Sequence, residues 1–156
     1  MKIKISLLII GLVLISKSVL AQNTNDYIEL TREVLKTEKK MAIAEAMKLS
    51  EAESEPFWAL YNEYNEELYK THTERVNIIK DFAANYESMN DEKADELWTR
   101  SMSYQEELLK LNKKYYKKFK TILPASKAAL YFQLENKIAA LINAELALGI
   151  PVINVD

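Results

Sequence analysis

Residues 57–86, FWALYNEYNEELYKTHTERVNIIKDFAANY, carry Phe57, Leu60, Tyr64, Leu68, His72, Val76, Ile79, Ala83 and Tyr86 at steps of three and four. That spacing places one apolar stripe on a single face of a long helix. Residues 94–122, ADELWTRSMSYQEELLKLNKKYYKKFKTI, repeat the pattern with Ala94, Leu97, Ser101, Tyr104, Leu108, Leu111, Tyr115, Phe119 and Ile122. Their steps average 3.5 residues, the period of a coiled-coil seam. Ser88-Met89-Asn90-Asp91 between the stripes is cap and turn chemistry, with Asp91 and Glu92 suited to a helix start. Two such stripes joined by a short turn predict an antiparallel hairpin about 45 Å long, at 1.5 Å per residue over roughly 30 residues.

Working outward, no glycine occurs between Gly11 and Gly149, and only Pro56 and Pro124 interrupt that span. With so little to turn on, the chain reads as all-α, with four helices. The first is expected from about Asp26 to Met47, with Tyr27, Leu30, Val34, Met41 and Ala42 as its inner face. Ser50 is expected to cap the second, with Glu53 completing a capping box, and Pro56 to kink or restart it. Leu123-Pro124 opens the fourth, whose inner face is read as Ala128, Tyr131, Leu134, Ile138, Leu141 and Leu148. Gly149 and Pro151 end it. The apolar tail to Asp156 either docks back or frays.

Residues 1–21 read as a secretory signal. Lys2 and Lys4 precede the apolar run Ile5 to Ile15, and Val19-Leu20-Ala21 offers a cleavage site, although Lys17 is atypical there. An apolar core eleven residues long falls short of the roughly 20 that span a bilayer. The absence of cysteine excludes disulfides and a lipidated cysteine at the signal. Residues 22–148 then form one helical domain and 149–156 a short tail. Loss of Lys2, Lys4 and Lys17 takes the basic count from 21 to 18 against 23 acids, a net of −5. That balance argues against nucleic acid as a partner.

Nothing along the chain reads as a catalytic or cofactor site. There is no Gly-rich phosphate loop and no Ser or Cys nucleophile beside a histidine. His72, the only histidine, lacks the companions that zinc requires and reads as an interhelical contact. The carboxylate pairs Glu63 with Glu67 and Glu51 with Glu55 read as a solvated face. Lys110, Lys113, Lys114, Lys117, Lys118 and Lys120, interleaved with Tyr115, Tyr116 and Phe119, have two readings. They complement the helix C-terminus, or Lys113, Lys114, Tyr116, Lys117, Lys118 and Lys120 form a protein-binding surface. Trp58, Tyr61 and Tyr69 lie off the main stripe, so some of them are expected to face a second helix, a second subunit or a client; a homodimer follows from an apolar surface wider than one hairpin covers.

The two helix starts Leu49 to Tyr64, LSEAESEPFWALYNEY, and Leu123 to Ile138, LPASKAALYFQLENKI, share a leucine, a Glu or Lys four residues on, and an aromatic pair at the eighth and ninth positions. Those pairs are Phe57-Trp58 and Tyr131-Phe132. The chain thereby resembles the Spy/CpxP family of periplasmic proteins and its duplicated LTxxQ motif. The string FWALYNEYNEEL is similar to the FWxxYxxY version found in Bacteroidetes members, some described as sensors of extracytoplasmic-function sigma factors. The motif positions here are Leu49, Ser50, Glu53, Phe57, Trp58 and Tyr61, then Leu123, Pro124, Lys127, Tyr131 and Phe132. Glu53 and Lys127 stand where the pattern has Gln, and Pro124 where it has a capping Ser or Thr.

The resemblance implies a four-helix fold whose hairpins intertwine in a dimer. It also implies a non-enzymatic, ATP-independent holdase or stress sensor in the periplasm. The partners would be unfolded or envelope proteins; the alternative is a dedicated adaptor on a membrane sensor kinase or anti-sigma factor.

Overall fold

The computed structural model describes residues 21–153, with side-chain environments from residue 28 onward. Most of the expected signal sequence, residues 1–20, lies outside the described residues, as do 154–156 and the side chain of Tyr27. Four α-helices follow in order: α1 (Ala21–Met47), α2 (Glu51–Asn85), α3 (Asp91–Ile122) and α4 (Ala125–Gly149). A single 3-10 turn, Tyr86–Ser88, follows α2, and no strand occurs among the described residues. No described helix is long and apolar enough to cross a membrane.

The chain divides into two compact units: residues up to Lys48 with Gln133–Pro151, and Leu49–Phe132 with the residues from Val152. The second unit is the hairpin. Residue pairs across it run in opposite directions, Tyr64 with Asn112 and His72 with Tyr104, so α2 and α3 are antiparallel. At 35 and 32 residues the helices are about 50 Å long. Asn90 caps α3 by accepting the Lys93 N–H at 2.8 Å, and Asp91 and Glu92 occupy the first turn as their charge requires.

The seam on α3 is the one read from the sequence. Leu97, Tyr104, Leu111, Tyr115 and Phe119 are buried, while Ala94, Ser101, Leu108 and Ile122 are half-buried. On α2 the stripe drifts. Phe57, Tyr64 and Leu68 are buried as expected, but Tyr61, Ile78 and Phe82 pack inward, Ile79 is only half-buried and Ala83 is exposed. The reason is geometric. Successive steps of four from Tyr64 to Val76 each overshoot a 3.6-residue turn by about 40°, so the expected face rotates off the seam.

The helix breaks fall where the sequence places them, with different chemistry. Lys48, just after α1, has φ of 44°, a left-handed conformation that glycine usually supplies at a helix end. A side chain there costs about 1–2 kcal/mol. Pro56 neither ends nor restarts α2, which runs unbroken through it. The carbonyl that Pro56 cannot bond belongs to the exposed residue Ala52. Pro124 precedes α4 rather than opening it: its carbonyl accepts the Ala128 N–H at 3.0 Å, while the Leu123 N–H closes α3 on Phe119.

In the first unit the expected faces are corrected. On α1, Ile43 and Met47 are buried, whereas Leu30 and Met41 are more than 60% exposed. The inward side of α1 also carries Lys39, whose Nζ meets Glu135 Oε2 of α4 at 2.8 Å, and a charged residue on the buried side hides the stripe from a hydrophobic pattern. On α4, Ala128 and Tyr131 are buried and Glu135 takes the next inward turn, leaving Leu141 and Leu148 exposed. From Ile138 onward α4 is apolar on nearly every side, so its pattern does not choose a face. Val152 of the tail is 85% exposed.

Candidate functional site

The two helix starts with matching leucines and aromatic pairs come together at the open end of the hairpin. Ser50 caps α2, and the Glu53 carboxylate reaches back to it, accepting the Ser50 N–H at 2.9 Å and its hydroxyl at 3.0 Å. The same Oε2 accepts from Lys127 Nζ of α4 at 2.5 Å. The corresponding fifth residues of the two helix starts, Glu53 and Lys127, therefore pair with each other across 74 positions. Lys127, then Ser50, hold the Glu53 carboxyl at about 2, far below the usual carboxylate range.

Behind this pair lies a cluster of aromatic rings. Phe57, Phe119 and Tyr131 have no exposed surface, and their centroids stand 4.6 to 5.5 Å apart. Tyr61 and Phe132 extend the cluster, Tyr61 at 6.1 Å from Tyr131 and Phe132 between Tyr64, Tyr116 and Phe119. Trp58 packs edge-on against Phe57 and Tyr61. These rings meet tilted or edge to face, the arrangement their quadrupoles favour. Tyr61, read as a residue awaiting cover, is thus covered by α4 within the same chain, and Leu123 is buried beside the start of that helix. Leu49 is half-buried, and Ser50 and Pro124 are exposed. Glu53, Lys127 and the enclosed rings build a clasp that ties α2, α3 and α4.

The lysine-rich end of α3 splits in two. Lys114 Nζ reaches both carboxylate oxygens of Glu67 at 2.8 Å, and Lys118 Nζ reaches Glu63 at 2.6 Å. The buried Tyr115 hydroxyl donates between the same two acids, at 3.0 Å to Glu63 and 2.7 Å to Glu67. Glu63 and Glu67 are therefore not a merely solvated face but an interhelical rail, and the lysines and Tyr115 lower both carboxyls. Burial first, then the two facing carboxylates, pushes the Tyr115 phenol well up. Lys113, Lys117 and Lys120 are exposed, as is Lys110, and Lys120 lies 5.1 Å over the ring of half-buried Tyr116.

Toward the closed end, His72 makes the interhelical contact expected of it, its Nδ1 2.9 Å from the Tyr104 hydroxyl. Arg100 gathers Glu74, Asp81 and Glu96 at 2.5 to 3.2 Å. The sequence reading missed this junction. Its signal is the acidic row Glu63, Glu67, Glu74 and Asp81, spaced 4, 7 and 7 along α2 and offset by about a quarter turn from the apolar stripe.

The opposite edge of the hairpin is apolar. Trp98 is 65% exposed, Leu109 53% and Tyr69 40%. Trp98, Met102, Leu109 and Tyr116 recur at 4, 7 and 7 on α3, and the pairings Tyr64 with Asn112 and His72 with Tyr104 bring Tyr69 of α2 level with them. No group of three side chains fit to hold a metal ion occurs among the described residues. Comparison with protein-family models, with curated proteins and with solved structures finds no match.

Proposed function

We propose that this chain is an exported, periplasmic, non-enzymatic protein-binding protein of envelope stress, acting as a Spy/CpxP-like dimer that holds unfolded chains or senses them. The observation that carries the reading is the apolar edge of the hairpin. Trp98, Leu109 and Tyr69 are spread along one edge of the two-helix frame and are open to solvent, which is where a protein partner gains most from desolvation. The opposite edge is occupied by Lys114, Lys118 and Arg100 on the acidic rail of α2, which leaves the apolar edge as the one available to a partner. The motif-like helix starts and the export signal agree with this reading.

The test is aggregation of an unfolding client, watched by light scattering with and without the protein. Wild type is expected to suppress aggregation at a few-fold molar excess. Trp98→Ser with Leu109→Ser is expected to lose suppression while keeping wild-type helical circular dichroism, because both side chains are outside the core. No suppression at several-fold excess removes the holdase reading. A single membrane regulator binding through the same edge would then identify a dedicated adaptor.

A further inference from the structure

We infer that the outer face of the C-terminal half of α3 docks on an anionic lipid surface. Lys110, Lys113, Lys117 and Lys120 follow one another at steps of 3, 4 and 3. At 100° per residue all four lie within about 40° of the direction opposite the buried Tyr115, in a row about 15 Å long. All four are exposed and none makes an ion pair among the described residues. Their neighbours Lys114 and Lys118 point instead to the seam and are neutralised by Glu67 and Glu63. A protein whose formal charge is −2 thus keeps one uncompensated basic row.

Three features fit a lipid surface rather than an acidic peptide. The row runs along the convex back of a helix, where an extended peptide finds no walls but a planar array of phosphates meets all four ammonium groups at once. Tyr116, under Lys120, and the 53%-exposed Leu109 border the row, supplying the aromatic and apolar groups that settle at headgroup depth. The N-terminal half of the same helix carries Asp91, Glu92, Asp95 and Glu106, all exposed. An anionic surface therefore attracts one half of α3 and repels the other, which fixes the end that docks. Clusters of four or more lysines on a helix are the usual electrostatic footprint for acidic phospholipids.

The experiment is co-sedimentation of the protein, purified as the exporting cell processes it, with vesicles of phosphatidylcholine alone or mixed with phosphatidylglycerol. Binding is expected to the mixed vesicles only and to weaken as salt is raised. Changing all four lysines of the row to Gln is expected to weaken binding several hundred-fold, at about fivefold per lysine. A charge-matched control, Lys36→Gln, Lys48→Gln, Lys70→Gln and Lys137→Gln, is expected to stay within a few-fold of wild type. Equal binding to both vesicle types, equal losses in the two variants, or unchanged binding by the row variant would each overturn the assignment. So would a row variant that loses self-association or affinity for polyglutamate while still binding vesicles. Because the row variant leaves Trp98 and Leu109 in place, it is expected to lose vesicle binding while still suppressing aggregation, so failure of one reading is distinguishable from failure of the other.

Discussion

The open and closed ends of the hairpin are held by different means. At the open end three helices contribute aromatic rings, with Phe57, Phe119 and Tyr131 wholly enclosed and Glu53, Lys127, Glu63, Glu67, Lys114 and Lys118 around them. At the closed end two helices enclose Ile78, Leu97 and Tyr104, each still 6 to 9% exposed, with Phe82, Met89 and Leu108 packed alongside. Two helices cannot surround a side chain, so that end recruits Arg100 to bind acids on both helices. The difference teaches where stability and mobility reside: the open end is set by packing, the closed end by a polar junction over a thin core.

The largest test of that contrast is truncation on each side. Tyr131→Ala opens a cavity among enclosed rings and is expected to cost about 3–5 kcal/mol in urea unfolding, whereas Ile78→Ala, at a site that can collapse or admit water, is expected to cost about 2–3. Equal losses, or a greater loss at Ile78, would break the comparison.

Next in size is Arg100→Gln. Its partners are partly exposed, so the expected loss is about 1 kcal/mol. The location of the effect is more telling. Amide exchange is expected to quicken about fivefold from Ile78 through Trp98 and to remain unchanged around Phe57 and Phe119. Exchange that rises evenly along both helices would mean that the hairpin opens as one unit.

Regularity decides how much of this the sequence discloses. The α3 seam is legible residue by residue because it holds a strict 3.5 period, and the turn at Asn90 and the cap at Ser50 are legible from local chemistry. The lower half of α2 is not, because steps of four conceal a rotation that only the 3.6-residue turn reveals. In α1 and α4 the inward positions Lys39 and Glu135 are charged, and their pairing joins distant segments that no local pattern connects. The clasp is half legible. The paired helix starts stand out, yet the contact of Glu53 with Lys127 arises at the two positions where the sequence departs from the pattern it resembles. The exposure of Trp98 and Leu109 could not be read at all, since an apolar residue beside a seam looks the same whether a helix covers it or nothing does.

The finest test titrates the clasp against the rest of the open end. Glu53 has its folded value lowered to about 2, chiefly by Lys127 and then by the Ser50 N–H, while in the unfolded chain it titrates near 4.5. A lowered carboxyl stabilises the folded state above the unfolded value, and that contribution is lost as pH falls through the folded one. Glu53→Gln should therefore be less stable than wild type at neutral pH, with the gap shrinking from about pH 4.5 and closing near pH 2. Glu63 and Glu67, which titrate in both proteins, cancel in the difference. Paired urea unfolding curves between pH 2 and 7 would show it. A gap that persists unchanged at pH 2 would mean that Glu53 acts by its shape and its bond to the Ser50 N–H, and that the ion pair with Lys127 adds nothing to the clasp.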